Sequence, residues 1–452
     1  MYVSAKYRSI CLFLDALDEH REDHHEDHWR LIQSLRKLVR EADGRTVKMM
    51  LCLSSRSENL FQDALSGYPG FRIHEHTQQD IHIYLMGRMN EYLNDARPDL
   101  MYNTSTMASL NKTFQEVIGR AQGVFLWVKL VATDLIESLM DGDSPHRLQQ
   151  NLSTISGDGD LQELYKGILL RMRDNYLLEA YIMLQLAYST AEPLPLDQFF
   201  QAIHVTSVGS SNYDWIVPID AEMERKLLSR CRGFLEVQSS HYRDEQRMVY
   251  RSLVVQFLHQ SVKDYLRMST SFTDMQARLH SKFPKLGLTE NGHAFLLRFR
   301  VCQHLQRYGS QPWQIKYFQN FDLRKFDLFY QAYMIELTLK RPIIEPLNAI
   351  ADWADDNNLA PYYMSHGDWM TPRTWQPSFL VLAVQAGLLL YVEHVLQRIN
   401  TDMLRGRPLL HYAAIPMPWS LRSKPTDPFL RSTDMVKLLV HLGAPVDTVF
   451  EE

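Results

Sequence analysis

From Ile10 to Leu14 the chain runs five apolar residues without a break, then turns to acid at Asp15, Asp18 and Glu19. A short continuous apolar run of this kind suits a strand buried on both faces of a parallel sheet. Between Trp29 and Val39 the apolar positions change to three- and four-residue spacing, which predicts an amphipathic helix ending at Asp43-Gly44. Val47 to Leu53 is a second apolar strand, and Phe71-Arg72-Ile73 a weaker third. Strand, helix, strand in that order predicts a parallel α/β sheet over residues 1–76.

Beyond Thr77 the periodicity is helical. Thr77 is placed to cap a helix whose apolar face is Ile81, Tyr84, Leu85 and Met89. Further helices are expected over Ile118–Met140, Leu161–Arg173, Leu178–Ala187, Asp197–His204 and near Ala221–Cys231. Two apolar segments, Phe234–Val237 and Val254–Leu258, then flank the polar stretch Gln238–Met248 and lead into a helix over Ser261–Met268. Helices, two strands about a polar tip and a closing helix suit a winged-helix module. Residues 275–370 read as helical and aromatic-rich. In the tail, Pro408-Leu409-Leu410-His411-Tyr412-Ala413-Ala414 resembles the T-P-L-H-x-A signature of an ankyrin repeat, and Met435–Ala444 its second helix and terminal Gly-Ala. Phe379–Leu396 reads as a degenerate repeat before it.

Length and charge narrow the partners. A chain of 452 residues is long enough for two to four domains. The formal net charge is -5, so composition implies no basic face for nucleic acid; in the expected wing, Asp244 and Glu245 offset Arg243 and Arg247. The longest apolar stretch, Phe379–Leu390, is interrupted by Gln385 and too short for a bilayer, so no membrane partner is expected and a cytoplasmic chain is. Four cysteines (Cys11, Cys52, Cys231, Cys302) stand far apart, which suits reduced, buried thiols.

Asp15, Asp18 and Glu19 would sit at the carboxyl end of the first strand, where open α/β sheets bind ligands. Nucleotide-hydrolysing domains place there the acid that holds Mg²⁺ and the acid that polarises the attacking water. The phosphate cradle G-x-x-x-x-G-K-[ST] does not occur, since the chain has no Gly-Lys dipeptide. His20, His24 and His28 fall at i, i+4, i+8, and on a helix would share a face able to ligate Zn²⁺ or Ni²⁺. The acids among them favour a hydrophilic loop instead.

Six blocks in order resemble the fungal NACHT proteins of the STAND class, with a nephrocystin-like NTPase core and often ankyrin repeats. They are the first strand with its acids, Leu53-Ser54-Ser55-Arg56, Arg120–Val128, Leu161–Tyr165, Cys231–Val237 and Phe257–Leu266. The resemblance implies α/β followed by mostly α. A partial P-loop NTPase sheet would span 1–76, a helical lid 77–174, a winged-helix-like domain 175–272, a helical region 273–372 and degenerate ankyrin-like repeats 373–452. It implies Mg²⁺ held through water by Asp15, an attacking water oriented by Asp18 or Glu19, Arg56 sensing the γ-phosphate and His259 meeting the ADP phosphate, with ATP, ADP and Mg²⁺ as the relatives' cofactors. Without the phosphate loop, this chain is expected to lack NTPase activity and to hold none of these cofactors. The implied function is a regulatory switch associated with self/non-self recognition and cell death. Protein partners would bind the ankyrin-like tail, and self-association would accompany switching. The competing expectations are a non-enzymatic interaction scaffold and a truncated gene product.

Overall fold

The computed structural model describes residues 8–19, 25–43, 47–55, 59–155, 158–208, 222–243, 249–283, 290–308, 328–356, 379–398, 409–414 and 428–444. They are mostly helical, with a small parallel sheet near the N-terminus. The chain divides into two compact units, Met1–His76 and Thr77–Glu452.

In the first unit, strand β1 (Arg8–Leu14) leads through a 3-10 turn (Leu17–Glu19) to helix α1 (His25–Asp43), strand β2 (Val47–Leu53) and helix α2 (Asn59–Leu65). β1 and β2 pair in parallel, from Arg8 opposite Val47 to Leu14 opposite Leu53. Side chains alternate across a strand, so this register puts Cys11 and Phe13 on the same face as Met50 and Cys52. The opposite face carries Leu14 and Leu53, which pack with Leu17, Ile32 of α1, and Phe61 and Ala64 of α2.

Only that second face is covered. Phe13 is 77% exposed, and Cys11, Met50 and Cys52 are exposed beside it. The expectation of a strand buried on both faces therefore fails, and so does that of buried thiols at Cys11 and Cys52, while Cys231 and Cys302 are buried. An apolar run records what a strand could bury, while α1 and α2 supply a layer on one side only. The third strand also fails. Ile73–Glu75 is a 3-10 turn, and Phe71 and Ile73 are exposed. α1 begins at His25, so His25 and His28 lie on helix rather than in a loop, while His20 and His24 fall outside the described residues. His28 is buried against Phe61, ring centroids 5.5 Å apart, with neither nitrogen paired among the described residues.

The second unit opens with α3 (Gln78–Ala96), α4 (Pro98–Met101), α5 (Thr104–Arg120), α6 (Phe125–Met140), α7 (Pro145–Ser153) and α8 (Leu161–Leu170). Thr77 does not cap α3 through its side chain. Its backbone is helical there, and its hydroxyl donates instead to the Gly123 carbonyl at 2.6 Å. The single helix expected over Ile118–Met140 is two, broken at Ala121–Val124 where Gln122 and Gly123 take φ of 47° and 77°. Arg120 fastens this break. Its guanidinium donates to the Leu152 carbonyl (2.7 Å), the Ile155 carbonyl and Asp158 (2.9 Å), and lies over the buried Trp127 ring.

Next come α9 (Leu177–Ser189), the short strand β3 (Leu194–Pro195), α10 (Leu196–Val208), α11 (Met223–Cys231), β4 (Leu235–Arg243), β5 (Val249–Phe257), α12 (Gln260–Met268), α13 (Ser271–Lys282) and α14 (Gly292–Tyr308). β4 and β5 form an antiparallel hairpin, with β3 on the far side of β5. Gln238–Arg243 of the stretch expected as polar is thus strand, and β5 begins at Val249, five residues ahead of the expected Val254; 244–248 lie outside the described residues.

A second core joins part of α14 to α15 (Leu328–Leu339), α16 (Ile344–Asp356), α17 (Phe379–Gln385), α18 (Leu389–Leu396), α19 (Leu409–Ala413) and α20 (Pro428–His441). α17 packs on α19, and α18 on α20. Buried Glu336 of α15 accepts from the backbone N–H groups of Leu390 (3.1 Å) and Tyr391 (2.9 Å), satisfying donors that the first turn of α18 leaves unpaired. Among the described residues, no helix is long and apolar enough to cross a membrane.

Candidate functional site

Parallel pairing brings the carboxyl ends of β1 and β2 together, and the polar groups there are tied to one another. Ser54 N–H donates to the Leu14 carbonyl at 3.0 Å, and Leu17 N–H returns a bond to the Ser54 carbonyl at 3.0 Å. The Ser54 hydroxyl donates to Asp15 Oδ1 and accepts from Ala16 N–H at 3.0 Å. These bonds hold Ala16 at φ 53°, a left-handed conformation that costs an L-residue about 1 kcal/mol or more. The strained turn swings the chain from β1 into the 3-10 turn carrying Asp18 and Glu19.

Asp15 and Asp18 therefore lie within one turn at the strand end, as their spacing predicts. Arg56 falls outside the described residues, and so does the side chain of Glu19. Asp15 is exposed and one of its oxygens is taken by Ser54. Among the described residues, no three acids, histidines or cysteines are grouped to hold a metal. Asp15 and Asp18 with a serine partner do not by themselves supply a magnesium–nucleotide site, which needs a phosphate cradle and several oxygen ligands. The described residues do not fit the nucleotide by themselves.

His259 belongs to the second unit and has a local role there. It is the N-cap of α12, in extended backbone, and its Nδ1 accepts from Ser261 N–H at 3.1 Å. Since a ring nitrogen that accepts carries no proton, this bond fixes the proton of a neutral imidazole on Nε2. Ser261 Oγ also lies 2.8 Å from Nδ1 and 2.7 Å from the buried Tyr165 hydroxyl of α8. The imidazole thus finishes a helix end and ties it to a second helix.

Ser54, Ser261 and Tyr165 are the partners that a reading of the sequence misses. A histidine two residues before a serine at a helix start is a legible capping signal. The links from Asp15 to Ser54 and from Ser261 to Tyr165 span 39 and 96 residues and leave no local pattern.

The family described as Domain of unknown function (DUF7791) matches residues 171–307, from the end of α8 into α14. That span holds the β4–β5 hairpin and His259. No curated protein and no solved structure matches the chain.

Proposed function

We propose that this chain is a regulatory signalling module of the NACHT class, in which residues 1–76 keep the frame of a nucleotide switch without its chemistry and the output runs through protein contacts. One observation carries the reading. An acid at the carboxyl end of β1 is locked to the end of the neighbouring parallel strand, the position where such sheets place ligand-facing carboxylates. The β4–β5 hairpin between α11 and α12 supports a winged-helix-like domain after a helical lid. The stacking of α17 on α19 and α18 on α20 supports ankyrin-like repeats as the partner-binding part.

Carboxylates alone repel a polyphosphate unless amides and a lysine hold it. Titration of the full chain with Mg·ATP and with Mg·ADP is therefore expected to give no heat of binding up to millimolar nucleotide. Micromolar affinity, lost in Asp15→Ala, would restore an active switch and overturn the reading of 1–76 as a frame.

A further inference from the structure

The bare face of the two-stranded sheet carries three sulfur atoms. Pairing sets Cys11 opposite Met50 and Phe13 opposite Cys52. Residues two apart on a strand share a face, so these four form one rectangle with both thiols and the thioether on it. All four are exposed, and both thiols are free. The helices α1 and α2 pack on the other face, against Leu14 and Leu53. Cysteine is among the residue types most often buried, so two of them side by side on an open face are unusual.

The two cysteines are diagonal neighbours in the rectangle. Strands about 4.8 Å apart and a two-residue rise of about 6.6 Å set their Cα atoms about 8 Å apart. A disulfide spans Cα atoms up to about 6.8 Å apart, so this pair does not close on itself without moving the backbone. One atom between the sulfurs removes that obstacle. With metal–sulfur bonds of about 2.3 Å, a two-coordinate ion holds its sulfurs about 4.6 Å apart, which is about 2.5 Å wider than a disulfide and matches the wider Cα span. Met50 stands at the corner between the thiols, across from Cys11 and two residues before Cys52. Its flexible thioether is placed to add a third, weaker ligand. Phe13 fills the fourth corner as an apolar neighbour.

Donor type and number select the ion. Thiolate and thioether sulfur favour monovalent copper, for which two or three ligands suffice. Zinc also takes thiolates, but its protein sites are built from three or four nitrogen, sulfur or carboxylate donors. Among the described residues, no third cysteine, histidine or acid joins this pair. Charge agrees with copper. Two thiolates and one monovalent ion leave a single negative charge, and Lys48, two residues before Met50, is exposed on the same face.

We propose that Cys11, Cys52 and Met50 form a copper(I) site on the open face of the first unit. Each thiol gives up its proton as its sulfur bonds the ion, so one copper displaces two protons and no electron moves. The bound ion ties β1 to β2 through their side chains. The site uses neither Asp15 nor a nucleotide, so it stands apart from the switch reading.

Anaerobic titration of the reduced full chain against the Cu(I)–bicinchoninate complex tests the site. The chain is expected to withdraw one equivalent of copper. Cys11→Ser and Cys52→Ser should each weaken that binding by about a hundredfold or more, and Met50→Leu by about tenfold. Full affinity in the Cys11→Ser, Cys52→Ser double variant would overturn the proposal, as would failure of the chain to withdraw copper. So would a dimer formed on copper addition, since each chain would then give one thiolate only. Mapping of N-ethylmaleimide labelling on the wild type needs no variant. One equivalent of Cu(I) should protect both Cys11 and Cys52, and one equivalent of Zn²⁺ should protect neither. Labelling of both at the copper-free rate would overturn the site, and equal protection by zinc would overturn the choice of copper.

Discussion

Replacing Gly292 by alanine is expected to destabilise the second unit by about 3 kcal/mol, the upper end of what overpacking costs. Gly292 begins α14 where that helix crosses α9, and its N–H donates to Gln185 Oε1 at 3.0 Å. A Cβ there would lie 2.5 Å from Ser189 Oγ and from the Gln185 carbonyl carbon, and closer still to that carbonyl oxygen. The obstacle is largely backbone, so no rotamer change relieves it. Either α14 lifts from α9 or the Gln185 bond breaks. Urea unfolding followed by far-ultraviolet circular dichroism would measure the effect. Gly119→Ala in α5 is the control, because nothing lies within 4 Å of the added carbon and alanine favours helix. Equal midpoints for the two variants would show that the α9–α14 crossing yields freely.

The second large effect belongs to Asp134. Among the described residues, its loss leaves Arg171 without an ion-pair partner and Arg232 with Glu137 alone, in a seam on α6 that excludes most water. Removing one side of a buried ion pair costs about 3–5 kcal/mol. Asp134→Ala is expected to fall in that range. Asp134→Asn, which keeps one acceptor oxygen for one arginine and turns an amide donor toward the other, should recover only part of the loss. Asp15→Ala gives the contrast, because its carboxylate is solvated and its one serine bond exposed; its cost should stay near 1 kcal/mol. If Asp134→Ala and Asp15→Ala unfolded at the same denaturant concentration, the seam would carry no more stability than a surface turn.

Those two sites also mark the limits of reading this sequence. β1, β2, α1 and most helices of the second unit show in the spacing of apolar residues, because each element buries at least one stripe. What covers a strand does not show. Ile10–Leu14 reads the same whether one face or both are packed, and here Phe13 is bare. Between α5 and α6 the only local sign of a break is Gly123, while Gln122 takes its left-handed turn under the grip of Arg120, whose partners lie more than thirty residues on. β4 was expected to stop at Val237, yet it runs to Arg243 through Gln238, Ser239 and Ser240. Those polar residues are strand because β5 pairs with them, which composition does not reveal. At the candidate site the acids of the strand end were legible from an apolar run meeting charge. Their serine partner, the tie from Ser261 to Tyr165 and the arginines that meet Asp134 depend on contacts between distant segments.

The uneven burial of the four cysteines has a practical side. Cys11 and Cys52 open onto solvent in the first unit, while Cys231 and Cys302 lie inside the second, where burial pushes the Cys302 thiol up to about 11 and Cys231 further. Alkylation requires an accessible thiolate. A maleimide dye added to the native chain would thus mark the first unit alone, and the remaining two thiols would take up a second colour only once the other core had opened. The unaltered sequence carries its own two-channel readout for following the melting of each unit.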